Sequence, residues 1–154
     1  GQLFQDGKLA RRDLRKAVEL FNEGCTGGNA AACGRQAALL EAGEEIPRDQ
    51  PKARRLYGVA CEAGLAADCL AWGRLLLKRD ADFQFMGDPA RAFEAFHKAC
   101  EGGVAQACFE QAEMAAVGHG TARDAIKAMA LYRKACEGGH AGACEIVRKS
   151  ERRK

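Results

Sequence analysis

Eight cysteines in a chain of 154 residues fall into four pairs of one spacing, Cys25/Cys33, Cys61/Cys69, Cys100/Cys108 and Cys136/Cys144, with seven residues inside each pair. First members recur at intervals of 36, 39 and 36 residues. A fixed period of this length marks stacked supersecondary units, none of which can bury its apolar face alone. Other positions keep the same phase. Alanine stands eight residues before each first cysteine (Ala17, Ala53, Ala92, Ala128), and an aromatic stands four before it (Phe21, Tyr57, Phe96, Tyr132). Glycine follows three residues after (Gly28, Gly64, Gly103, Gly139), and alanine two beyond that (Ala30, Ala66, Ala105, Ala141). The longer interval comes from a three-residue insertion in the segment from Asp80 to Asp88, which also carries Phe83, Phe85 and Met86.

Each unit reads as two helices. The segment Pro51 to Ala63 opens on proline, spaces its apolar residues helically and stops at Gly64, a residue suited to a helix C-terminus. Leu14 to Gly27, Pro89 to Gly102 and Ala122 to Gly138 are its equivalents. A second helix follows each glycine turn, as in Ala66 to Lys78 and Ala105 to Val117. These second helices end near Gly43 and Gly118, before the polar loops EEIPRDQ and HGTARD. Connections this short make neighbouring helices antiparallel. The expected units are near residues 2–33, 34–69, 70–108 and 109–144, within one repeat array. Leu3, Phe4 and Gly7 share the phase of Leu39, Leu40 and Gly43, so the N-terminus reads as the tail of a second helix. Residues 145–154 read as a terminal capping helix that becomes wholly charged after Ile146 and Val147.

Composition agrees. Hydrophobic residues make up 47% of the chain but aromatics only 6%, so alanine and leucine dominate, and alanine favours helix. With 24 basic against 21 acidic residues the net charge is +3, too balanced to point to nucleic acid. No apolar run is long enough to span a bilayer.

Three roles compete for the cysteines. Zinc ligands come as close pairs converging four at a time, and pairs repeated every 36 residues do not converge. Reduced cysteine also packs as a small apolar residue. The third role is a disulfide across each helical hairpin. There the first cysteine ends one helix and the second lies one turn into the next, within the roughly 4.4–6.8 Å between Cα atoms that a disulfide requires. Disulfides imply an oxidising compartment, hence a periplasmic or secreted protein.

These residues carry a resemblance. The 36-residue unit, the Cys-x7-Cys junction and the string GHGTARDAIKAMALYRKACEGGHAGAC resemble Sel1-like repeats, and within them the cysteine-rich secreted subgroup typified by the Helicobacter cysteine-rich proteins. The repeat pattern LGxLYxxGxGVxxDxxKAxxLYxKACxxGxxxAC is met at Gly118, Gly120, Asp124, Lys127, Ala128, Leu131, Tyr132, Lys134, Ala135, Cys136, Gly139, Ala143 and Cys144. Its LG pair is replaced by Gln36-Ala37, Trp72-Gly73 and Gln111-Ala112, and Arg79 stands where glycine is usual. The resemblance implies an all-α fold, a right-handed α/α solenoid of TPR-related helix pairs stapled at the repeat junctions. It also implies adaptor and interaction roles. Some cysteine-rich members bind penicillins and hydrolyse them weakly, which implies an alternative role for this chain.

The residues themselves argue against catalysis. A serine acyl-enzyme needs a base-assisted serine, and the single serine, Ser150, lies in the charged segment RKSERRK. His97, His119 and His140 sit at different repeat phases with no HxH or HExxH pattern. Only His119, between two glycines of a loop, is placed to approach a ligand. Catalytic residues, a metal and a cofactor are therefore not expected. Stacked helix pairs build an extended concave surface, and residues two and five positions after each second cysteine face it: Arg35 and Ala38, Ala71 and Arg74, Glu110 and Glu113. That order runs from basic to acidic and suits an extended peptide or protein partner. The basic end, Arg148, Lys149, Arg152, Arg153 and Lys154, reads as a solvated helix terminus. A monomer is expected, with a structural spacer within a longer solenoid as the other reading.

Overall fold

The computed structural model describes residues 2–43, 46–78 and 87–153, with side chains from Gly7 onward. Phe83, Phe85 and Met86 of the insertion, Arg79, Lys154 and the side chains of Leu3 and Phe4 lie outside the described residues. Among those described there are eight helices and no strand. They divide into two units, Gly1–Ala63 and Gly64–Lys154.

The first unit contains α1 (Gln2–Thr26), α2 (Ala30–Ala42) and α3 (Gln50–Glu62), with α2 packed against both others. Alanine makes the close approach possible: Ala37, Ala53 and Ala60 are fully buried among Leu40, Leu56 and Tyr57. The Tyr57 hydroxyl donates to Glu41 Oε2 at 2.8 Å, so the buried ring keeps its polar tip paired. The second unit contains α4 (Ala66–Leu77), α5 (Pro89–Glu101), α6 (Ala105–Val117), α7 (Ala125–Glu137) and α8 (Ala141–Arg152), each packed on the next. Its largest fully buried side chain is Phe96, whose ring fills the space left by the missing side chain of Gly73.

Loop chemistry sets the helix boundaries. Asp49, Asp88 and Asp124 cap α3, α5 and α7, accepting from the backbone N–H of Lys52, Arg91 and Lys127. The cap at Asp124 starts α7 at Ala125, three residues later than the apolar spacing from Ala122 predicts. At the other junctions the periodic glycine takes a left-handed conformation, with φ of 93° at Gly103 and 96° at Gly139. Gly103 N–H donates to the Cys100 carbonyl and Val104 N–H to the Ala99 carbonyl, both at 3.0 Å. This paired bonding is the Schellman motif, and it recurs at Gly28 and Gly139. The motif leaves one cysteine in the last turn of a helix and the other in the first turn of the next.

Disulfides form at these corners. Cys25–Cys33, Cys100–Cys108 and Cys136–Cys144 join Cα atoms 4.7, 4.6 and 4.6 Å apart. Cys61 and Cys69 are disulfide-bonded as well, and no cysteine is free.

The N-terminus differs from the sequence expectation. Gly7 does not end a helix, because α1 runs through it unbroken from Gln2 to Thr26. At the other long connections proline or a second glycine breaks the chain, as in EEIPRDQ and HGTARD. After Gly7 stand Lys8, Leu9, Ala10, Arg11 and Arg12, all strong helix formers, and a single glycine costs only about 1 kcal/mol. Asp13, at the capping phase, is consequently inside the helix. The last helix likewise begins at Ala141, ahead of residue 145 where the sequence reading starts it, because His140 caps it.

Two buried glutamines replace the leucine of the repeat pattern. Gln36 and Gln111 are each 1% exposed, and the Oε1 of each has no partner. Their amide nitrogens donate at 3.3 Å to Asn22 Oδ1 and His97 Nδ1. Leaving a buried acceptor unmade costs about 1–3 kcal/mol, more than the net worth of one hydrogen bond to an exposed side chain. Gln111→Leu is therefore expected to stabilise the protein by about 1 kcal/mol. Denaturant unfolding checks this, and a loss of stability would mean that a buried water completes the amide.

Candidate interaction surface

The surface is built from helices that begin at a second-cysteine corner. Pairing sulfur at one edge of such a helix fixes its rotation, so residues two and five positions later point away from the staple. In the first unit Arg35 and Ala38 are exposed on α2. The Arg35 guanidinium lies 6.0 Å from the centre of the Phe21 ring. In the second unit Ala71 and Glu110 are half-buried, while Arg74 and Glu113 are exposed.

The structure brings two of these six residues together. Arg74 donates to Glu110 Oε1 through Nε at 3.1 Å and through Nη2 at 2.9 Å. Charges on successive steps of the expected basic-to-acidic order thus pair with each other. Gln106 Nε2 donates to the same Glu110 oxygen at 3.3 Å, and Gln106 Oε1 pairs with His140 Nε2 at 2.9 Å. His140 Nδ1 accepts from Ala143 N–H at 3.0 Å as the cap of α8, so Nε2 must carry the ring proton and donate. The imidazole also stacks on Phe109 with centroids 4.2 Å apart, and Phe109 meets Tyr132 at 5.6 Å. One network therefore runs from Arg74 to the start of α8. From sequence His140 is noted only for a repeat phase unlike that of His97 or His119. Its phase, shared with the capping Asn29, is the signal that could have found its role.

Glu113 stands outside that network. It lines an open cleft of about 310 Å³ with Met114, Ala116, Val117, His119 and Tyr132. The loop histidine singled out by sequence is thereby joined to one of the predicted surface residues. Met114 is buried, whereas Val117 is 73% exposed. Partial burial, together with the Glu113 carboxylate, holds the Tyr132 phenol above its ordinary pKa. The phenol accordingly stays neutral, and its contribution to stability is kept through neutral pH and lost as pH rises beyond the usual value near 10. Spectrophotometric titration of the protein against Tyr132→Phe should reveal this late ionisation, and Glu113→Gln should bring it down. Ionisation at or below the ordinary value would mean that the phenol does not face the carboxylate.

Other residues considered from sequence remain apart. His97 is exposed on α5, Ser150 lies near the end of α8, and neither lines this cleft. Among the described residues no group of three or more His, Cys, Asp or Glu is placed to hold a metal, and no helix is long and apolar enough to cross a membrane. A feature missed at the sequence level is a basic stripe on α1, where Lys8, Arg11, Arg12, Arg15 and Lys16 line one groove with Glu19.

The Sel1 repeat model matches the chain four times, over residues 1–29, 30–65, 66–104 and 105–140. The chain belongs to the Sel1 repeat family. Its later matches begin at residues 30, 66 and 105, the first residues of α2, α4 and α6. Sel1 repeat proteins are generally protein-interaction modules and typically non-enzymatic scaffolds. No curated protein sequence matches this one. Solved structures show the same fold. A protective antigen of uropathogenic Escherichia coli displaying an SLR fold superposes with a TM-score of 0.73 at 24% identity over 82% of this chain. This chain spans only 26% of that protein's length. A Sel1 repeat protein from Oxalobacter formigenes gives 0.71 at 21% identity, covering 90% of this chain and 98% of that one. Helicobacter pylori cysteine rich protein B gives 0.65 at 22% identity, covering 88% and 96%. The likeness to cysteine-rich members inferred from the cysteine spacing thus extends to the fold.

Proposed function

We propose that this Sel1 repeat chain is a non-catalytic adaptor that binds a peptide or protein partner through the helix faces at Arg35 and Ala38 in the first unit and at Ala71, Arg74, Glu110 and Glu113 in the second. One observation carries the reading: these faces remain open to solvent while the sulfur edge of the same helices is buried and oxidised. Cys33 and Cys108 are 1% and 2% exposed, whereas Arg35, Ala38, Arg74 and Glu113 are exposed. A helix clamped on one edge presents its other side with little conformational freedom left to lose on binding, which favours affinity. The disulfides further support work in the cell envelope or outside the cell, where they persist, and the protein acts there as a monomer.

Peptides selected from a displayed random library on the oxidised protein test this reading. Enriched peptides should bind the wild type and lose affinity when Arg35→Glu or Arg74→Glu reverses a surface charge. Binding that is indifferent to both reversals would remove these faces from the interface.

A further inference from the structure

Glu113 has an environment unlike that of the acid one turn before it. Glu110 already has its cation, because Arg74 holds one carboxylate oxygen with two N–H groups. Glu113 has no ion-pair partner among the described residues, although it is exposed at the mouth of the cleft of about 310 Å³. The walls beside it are of mixed chemistry. Met114 and Ala116 supply an apolar floor, Val117 an exposed apolar rim, Tyr132 a ring with a hydroxyl, and His119 an imidazole. A free carboxylate above apolar surface matches a ligand with an aliphatic stem and a positive tip. Lysine and arginine side chains have that form.

We infer that the cleft between Glu113, Tyr132 and His119 is a specificity pocket for one basic side chain of a partner peptide, which deepens the adaptor reading and rests on it. The aliphatic stem lies along Met114, Ala116 and Val117, and the terminal cation donates to the Glu113 carboxylate. The Tyr132 hydroxyl is kept neutral and offers an additional oxygen acceptor, and the ring face beside it favours a cation. Only non-covalent contacts are involved. An acidic side chain would meet Glu113 with like charge, so the pocket discriminates by repulsion as well as by attraction.

The test uses the full oxidised chain, labelled with nitrogen-15 and titrated with three acetylated five-residue peptides that differ only at the centre: lysine, norleucine or glutamate, each flanked by leucines. Norleucine keeps a four-carbon stem and lacks the ammonium. The lysine peptide should shift the amide resonances of Glu113, Val117, His119 and Tyr132, and bind at least about tenfold more tightly than the norleucine peptide, with the glutamate peptide weakest. Glu113→Gln should abolish the preference for lysine, while Arg148→Gln, exposed near the end of α8, leaves it unchanged. Equal affinity for lysine and norleucine, shifts confined to other helices, or no shift at millimolar peptide would each overturn the pocket assignment. Library-selected peptides separate this failure from that of the adaptor reading. If they still respond to Arg35→Glu or Arg74→Glu, the adaptor stands without this pocket; if they do not, the wider surface falls too.

Discussion

Replacing Cys100 and Cys108 together by alanine is expected to lower stability by about 3 kcal/mol, a fall in Tm of roughly 6–12 °C for a chain of this size. Two contributions add. Losing a cross-link around a loop of about nine residues restores roughly 2.5 kcal/mol of chain entropy to the unfolded state. The sulfurs also belong to the core, since Cys100 is 1% and Cys108 2% exposed, so their removal leaves a void under the α5–α6 corner. Cys136 and Cys144 close a loop of the same length but are only half-buried. The corresponding double variant there should lose the entropic part alone, about 2.5 kcal/mol. Denaturant unfolding of both variants against the wild type gives the two numbers. A Cys100/Cys108 loss below about 1 kcal/mol would mean that hairpin packing by itself holds the corner closed.

Gly120→Ala should be comparably severe for a different reason. Gly120 sits in the loop between α6 and α7 with φ of 73°, a conformation that costs an L-residue roughly 1–2 kcal/mol. A Cβ there would also collide with the carbonyl group of Pro89, the first residue of α5. Backbone at a capped helix start cannot yield as a flexible side chain does, so the expected loss is about 3 kcal/mol or more. Gly139→Ala separates the two causes. Its φ is 96°, yet nothing lies within 4 Å of the added carbon, so only the conformational cost remains. Thermal unfolding of both variants should show the Gly120 substitution losing clearly more; equal losses would mean that the loop moves away from Pro89 freely.

Much of this architecture was legible because it depends on local chemistry repeated four times. A glycine three residues after each first cysteine announced a left-handed corner, and the bond pattern at Gly28, Gly103 and Gly139 is that corner. The alanines of one phase are not alike in burial, since Ala53, Ala92 and Ala128 are buried whereas Ala17 on α1 is only half-buried. Long side chains were less legible. Arg74 and Glu110 were placed on one face, but whether they meet depends on the reach of a guanidinium across a whole repeat, which phase does not encode. His140 is a similar case: as both helix cap and ring stacked on Phe109, it depends on a tautomer fixed by the fold. Gly7 shows the reverse error, since repeat phase suggested a helix end where the local sequence, without proline or a second glycine, continues the helix.

Intact mass after alkylation under denaturing conditions, with and without prior reduction, tests the stapled-hairpin account most directly. In protein never exposed to reductant, all eight cysteines should resist alkylation until they are reduced. Free alkylation of those cysteines without reduction would contradict the account, removing the staples at the repeat corners and the argument for an oxidising compartment.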